Sequence, residues 1–400
     1  MTTRFSIAII GGGIGGLFAA NALLARGLNV AVYEQAPAIG EIGAGVYVTP
    51  NAVRHLESVG LGRAVERWGA RVGAESAYFR HDGAPIAPVQ VTDAAGWNAC
   101  FGMHRADYVE LLAAHLPAGI VRTGHRAVGF EQTAAIARVK FANGAVAEAD
   151  VVVGADGIHS ELRPHVFPPH ALPPAAPVFH GTISYRGLVP RERLPDWPMD
   201  RWQMWAGPKK HFLVFPVRHG EMVNYVGFVP ADEEMKESWS APGDPAVLRR
   251  EFDGWDLRIG QVLKQVDRTF RWALYDREPL ATWTQGRLTL LGDAAHPMLP
   301  HLGQGANQAI EDGMALATLL AQANAASAPA RLLAYEKLRR ERVAEVQLGA
   351  RKHGLRVDSI VDNLKKRDAD LVAHAEFRKQ LYTYDVVPHA RAAADAAQRG

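Results

Sequence analysis

At 400 residues the chain is too long for one ordinary core, so two structural domains are expected, interleaved in sequence or not. It is 48% apolar and 22% charged, with a net charge of +2 and no long run of one sign; this is the composition of a soluble globular protein and gives no support to a nucleic-acid or anionic-membrane partner. The single cysteine, Cys100, excludes an internal disulfide and fits a reducing cytoplasm, and no window is long and apolar enough to span a membrane.

Residues 5–10 (FSIAII) read as a buried strand. Gly11-Gly12-Gly13-Ile14-Gly15-Gly16 follows at once, residues 17–26 are helical until Gly27, and a second strand at 29–33 ends in Glu34. This is the dinucleotide fingerprint in its required context. Gly11 makes the tight turn, Gly13 lets the backbone approach a pyrophosphate, Gly16 lets helix and strand pack, and Glu34 accepts from a ribose hydroxyl. An acid there favours the unphosphorylated ribose of FAD or NAD without choosing between them. These glycines and Glu34 also argue against a signal peptide.

Residues 41–46 read as a flexible glycine loop ending in Gly45-Val46, and Pro50 opens an amphipathic helix. Segments 77–79 and 85–91 alternate as strands around a His81-Asp82-Gly83 turn. Arg105 stands at a helix start, where the helix dipole disfavours a cation; a bound phosphate accounts for that placement, and so does a solvated surface position. Two further strands are expected at 135–141 and 146–153. The second feeds Asp156-Gly157, with Ser160 and Arg163, at the sheet end where open α/β folds hold ligands.

From 164 to 284 the aromatic density rises and strand alternation replaces the βα rhythm. Strands are expected at 178–188, 201–206, 211–217, 222–230 and 268–275, with 232–265 largely helical. Such an aromatic sheet is a plausible roof for an apolar or aromatic substrate. Residues 288–291 form another buried strand leading through Gly292-Asp293 and His296-Pro297 to Gly303-Gln304-Gly305, which starts a helix with free N–H groups. A second long helix covers 330–354, and 365–400 read as a charged, Ala-rich tail.

The three motifs stand in one order, Gly11–Gly16 with Glu34, Asp156-Gly157 with Ser160 and Arg163, and Gly292-Asp293 with His296-Pro297. With Arg105 they make the chain resemble the class A flavin-dependent aromatic hydroxylases, the para-hydroxybenzoate hydroxylase fold. The stretches GAGVYVTPN, GPKKHFLVFP, YDREPL and LGDAAHPMLPHLGQGANQAIED are most similar to the branch of salicylate hydroxylase, 3-hydroxybenzoate 6-hydroxylase and 6-hydroxynicotinate 3-monooxygenase. The resemblance implies an α/β fold: a Rossmann-type FAD-binding domain, an inserted, mostly antiparallel β-sheet substrate domain, and C-terminal helices. The FAD-binding parts would be 1–75, 101–163 and 285–355. The substrate domain would be 76–100 and 164–284, with a tail at 356–400.

The resemblance further implies FAD held by Gly11, Gly13, Gly16, Glu34, Gly45, Val46, Arg105, Asp156, Asp293, Gly303, Gly305 and Ala306. NADH or NADPH would be the reductant, NADH favoured, with no nucleotide domain of its own. The expected reaction hydroxylates a small hydroxylated aromatic acid with O₂ through a flavin C4a-hydroperoxide. An N-heteroaromatic or larger polycyclic substrate is the alternative. Tyr47, His211, Phe215, Pro297 and His301 would meet the substrate, with His211, then His301, as the candidate base and Pro297 beside the flavin. Phe215 and Tyr47 depart from residues common in relatives (tyrosine and histidine). No metal, nucleic-acid or membrane partner is implied, and the protein would be a monomer or homodimer.

Overall fold

The computed structural model describes residues 5–40, 44–168, 176–231, 241–358 and 364–399. The apolar run after Phe5 forms the strand Ser6–Ile10 at the centre of a six-stranded sheet. Its parallel neighbours are Asn29–Tyr33 and Val151–Gly154, and Leu288–Leu290 lies beyond the latter. Near-continuous Val and Ile runs suit strands covered on both faces. The helix Ile14–Leu24 packs on this sheet and against Gly305–Leu320, and the two helices cross closely because Gly313 sits against Phe18 and the Ala19 backbone.

The second large sheet has eight strands in the order 241–243, 269–276, 178–190, 222–230, 210–217, 203–207, 77–80 and 85–88. Every pairing in it is antiparallel except that of Gln203–Gly207 with Ala77–Arg80. One face packs Tyr185, Trp205, Phe212 and Tyr225 against short helices. The other presents Trp202, Met204, Phe215 and Phe228 toward Tyr47, Leu299 and Leu302, and the C-terminal helices pack into the same cluster.

Four expectations change. Segment 146–153 is two strands in different sheets, Val146–Ala149 and Val151–Gly154, because the Asp150 carboxylate turns the chain by accepting from Ser6 N at 2.8 Å and Ser6 Oγ at 3.0 Å. Gly45-Val46 belongs to the strand Gly45–Val48 instead of a loop; the expected loop residues 41–43 lie outside the described residues. Within 232–265, residues 232–240 also lie outside, Ala241–Gly243 is a strand, and Pro245–Glu251 and Leu257–Lys264 are helices. The expected tail forms two helices, Leu364–Thr383 and Val386–Arg399, which bury Leu371, Leu381, Tyr382 and Val386.

Candidate active site

A cleft of about 630 Å³ opens where the strands of the parallel sheet end, and Gly11, Gly13, Glu34, Arg105, Asp156 and Asp293 all line it. Each reaches it from the C-terminal side of its own strand or the start of a helix. Gly11 turns with φ +115°, and a Cβ there would fall 2.2 Å from the Ala155 carbonyl oxygen, so only glycine fits. Gly16 is equally constrained, 2.1 Å from Gly11 O, but it packs helix on strand and does not line the cleft. A Cβ on Gly13 would meet nothing within 4 Å. The helix behind it has no side-chain cap, so its first-turn N–H groups are available to a ligand.

Glu34 is locked in place before any ligand arrives, since one carboxylate oxygen accepts from Gly12 N at 2.6 Å and the other from Ala36 N at 2.7 Å. Asp156 accepts from Ser160 Oγ at 2.6 Å and from the Glu161 and Leu162 amides. Burial outweighs these bonds and raises its carboxyl above the usual range. Arg163 joins this turn to the next one. Its guanidinium donates to Ile158 O, Asp293 O and Ala294 O at 2.7–2.8 Å. Burial, with Arg277 nearby, lowers it to about 10.

Gly303, Gly305 and Ala306 do not line the cleft but continue it. A Cβ on Gly305 would lie 3.9 Å from Asp293 Oδ1, and one on Gly303, at φ +64°, would lie 3.5 Å from Tyr47 Cβ. The helix Gly305–Leu320 has no side-chain cap and no acid in its first turn. Gly45 donates to Asn224 Oδ1 at 2.7 Å, and a Cβ there would strike Asn224 and the Phe215 ring. Gly45 is therefore glycine to admit the second sheet.

Beyond this line lie the expected substrate residues. Tyr47 sits 6.1 Å from Phe215, ring centre to ring centre. His211 is fully buried, stacked on Phe228 at 4.0 Å and 5.3 Å from His301. Its Nδ1 bonds Asp358 Oδ1 at 2.5 Å, and Nε2 has no partner among the described residues. Burial, with His211 beside it, pushes His301 down to about 3, so it stays neutral. Pro297 is buried and its carbonyl accepts from Gln347 Nε2 at 2.8 Å. Pro300 opens the one-turn helix that carries His301.

His296, the first residue of the His-Pro step, does not line the cleft. Its Nε2 bonds Asp312 at 2.6 Å in the core of the parallel-sheet half. Asp312 and Glu311 both bind the fully buried Arg339, at 2.7 and 2.6 Å. Burial would raise the Glu311 carboxyl, but Arg339 and Arg342 hold it at about 2. Glu311 also accepts from Asn51, which donates to Gln304, and Gln304 donates to Thr49. This network clamps the loop from Gly292 to Gln304. Sequence reasoning missed it, although two adjacent acids inside an otherwise uncharged helix were a readable signal.

Residues 4–349 match the family described as FAD binding domain. The chain is 37% identical over 392 residues to a 3-amino-4-hydroxybenzoate 2-monooxygenase of Streptomyces platensis, covering 96% of this chain and 97% of that one. It is 39% identical to a salicylate hydroxylase of Pseudomonas putida, covering 85% and 83%. A solved salicylate hydroxylase substrate complex superposes with a TM-score of 0.84 at 30% identity, covering 98% of each chain.

Proposed function

The chain belongs to the FAD-binding-domain family, and from that membership we propose that it is an FAD-dependent monooxygenase that hydroxylates a small hydroxylated aromatic acid. O₂ supplies the oxygen and NADH or NADPH the electrons, with NADH favoured. The observation that carries this reading is the line from the cleft through Asp293, Gly305 and Gly303 to Tyr47 and Phe215, whose aromatic cluster includes the Phe228 that stacks on His211 and meets His301.

The parallel-sheet half is the Rossmann-type cofactor domain, and the eight-stranded sheet is the roof over the substrate. FAD fits the residues present. The open space above Gly13 and the uncapped helix behind it suit a pyrophosphate, with Arg105 as its counter-charge. Glu34, already fixed by Gly12 and Ala36, takes the ribose hydroxyls. Asp156 and Asp293 hold the middle of the molecule, and Gly16 keeps helix and strand together. Gly45, Val46, Gly303, Gly305 and Ala306 surround its ring system. When bound, FAD supplies hydride acceptance and activation of O₂.

The protein's own part is to orient, dehydrate and deprotonate. The positive end of the helix Gly305–Leu320 favours negative charge on the bound ring, by about 0.3–1 kcal/mol or more where buried. Tyr47, Phe215, Phe228 and Pro297 keep water from the reacting centre. His211 Nε2 accepts the proton of a ring hydroxyl, which raises the electron density of the carbon to be hydroxylated. Neutral His301 is a second hydrogen-bonding partner there.

The test is a panel of hydroxylated benzoates scored for NADH oxidation, O₂ uptake and peroxide. Coupled consumption with at least one member is expected. A yellow, FAD-loaded preparation that no aromatic acid stimulates would contradict the reading.

A further inference from the structure

The helix Leu364–Thr383 lies beyond the residues that match the family and packs on Pro50–Ser58, Ala328–Val357 and Pro85–Pro88. It carries an arginine inward. Arg378 is 3% exposed, and among the described residues no carboxylate pairs with it. Among the described residues its one hydrogen bond is to Tyr382 Oη at 3.3 Å and its Nε has no partner, while its guanidinium lies 5.9 Å from the Trp202 ring. Burial works against its charge, and the Tyr78, Tyr382 and Tyr47 hydroxyls are the polar groups around it.

A buried cation without a counter-ion is unfavourable unless something anionic completes it. The neighbouring histidines do not. Burial together with Arg378 keeps His353 and His374 neutral. The surroundings are flat and aromatic. Trp202 stands edge-on to Tyr78 at 5.4 Å and lies 6.4 Å from Tyr47, which in turn meets Phe215. Tyr78 also meets His353, ring centres 6.4 Å apart, and His353 stacks on His374. The cation is therefore joined by direct ring contacts to the wall of the proposed substrate pocket.

We propose that Arg378 anchors the carboxylate of the aromatic substrate, with the Tyr78, Tyr47 and Tyr382 hydroxyls completing the subsite. This rests on the hydroxylase reading and assigns its acid specificity to a helix outside the family-wide part of the chain. In an acid whose hydroxyl is para to the carboxylate, such as 3-amino-4-hydroxybenzoate, the ring then extends from Trp202 toward His211, with its hydroxyl at the base end and its carboxylate at the guanidinium end; in salicylate, where the two are ortho, only the carboxylate contact is expected.

Two ring-matched pairs test it on the FAD-loaded protein: 3-amino-4-hydroxybenzoate with 2-aminophenol, and salicylate with phenol. Binding is followed by the flavin absorbance change. Arg378→Gln is expected to weaken at least one acid about 10- to 100-fold, the range of a charge-assisted hydrogen bond, while its decarboxylated partner changes less than about 3-fold. Arg378→Lys should fall between. Equal weakening of acid and neutral ring, or no weakening of either acid, overturns the assignment. If Arg378→Gln does not retain FAD, the unmodified protein decides: an acid should bind at least about 10-fold tighter than its neutral partner, and equal binding or none overturns the anchor. Tight acid binding without stimulated NADH oxidation would leave the anchor standing and remove the hydroxylase reading.

Discussion

His211 Nδ1 and Asp358 Oδ1 meet at 2.5 Å across 147 residues of sequence, and the pairing leaves His211 Nε2 buried and without a partner among the described residues. Asp358 caps the C-terminus of the helix Ala328–Val357, an end where a carboxylate is electrostatically disfavoured. The histidine accounts for its presence. The Asp358 carbonyl also accepts from Lys209 N at 3.1 Å, tying the turn before the strand Lys210–Val217 to the helix end. A carboxylate on Nδ1 places the proton there and presents Nε2 as an acceptor, the arrangement a general base requires.

Asp358→Asn is therefore expected to keep FAD and substrate KM while lowering the hydroxylation kcat by about 10-fold. His211→Ala should lower it by about 100-fold, toward the lower end of general-base contributions. Product and peroxide are quantified together with flavin absorbance. Loss of FAD in either variant would show that the pair supports the fold and not the chemistry.

Two glycines of one motif should separate cofactor binding from folding. A Cβ at Gly13 meets no protein atom, so Gly13→Ala should leave apoprotein stability within about 0.5 kcal/mol while FAD retention drops. A Cβ at Gly16 falls 2.1 Å from Gly11 O, so Gly16→Ala should destabilise the apoprotein by about 1–3 kcal/mol. Thermal unfolding of both apoproteins, with and without added FAD, checks this. The same effect from both substitutions would refute the distinction.

The Arg339 network should be the most sensitive structural point away from the cleft. Arg339→Met leaves Glu311 and Asp312 buried without their shared cation, which should cost about 3–5 kcal/mol. Denaturant unfolding measures it. A variant as stable as the parent would mean that Arg342 and His296 suffice for the two acids.

Acid should destabilise the protein well above the carboxylate range. Burial lowers His55 to about 4 and both His301 and His374 to about 3, against 6.5 when exposed. The unfolded chain thus binds more protons than the folded one below pH 6.5. Stability is complete above that value and is lost as pH falls toward 3–4, on the order of 1 kcal/mol per pH unit for each histidine. Glu311, held at about 2, and Asp312, also lowered, add to the loss at the acid end. The Tm should be flat near neutrality and fall steeply between pH 6.5 and 4, and a level profile there would contradict this account. His374→Phe should remove part of the slope.

What the sequence determined by itself was local. The strand runs around the central sheet were legible because continuous Val and Ile stretches carry their own signal. The glycines of the first motif were legible because a tight turn ending at Gly11 admits no Cβ. Glu34, Arg105, Asp156 and Asp293 could be named as companions from their place after strands or at a helix start, and all four line the cleft with Gly11 and Gly13. The tertiary structure decided what depends on distant pairing. Asp150 split one apparent strand into two by binding Ser6. His296 turned to Asp312, and Gly45 joined a strand because Phe215 and Asn224 press on it. Asp358 and Arg378, ordinary charges of the expected tail, became the partner of a buried imidazole and a buried cation that no carboxylate among the described residues pairs. No periodicity encodes such contacts. They arise when helices from the last third of the chain close over a sheet from its middle, and burial then gives each charge a cost that only a specific partner can offset.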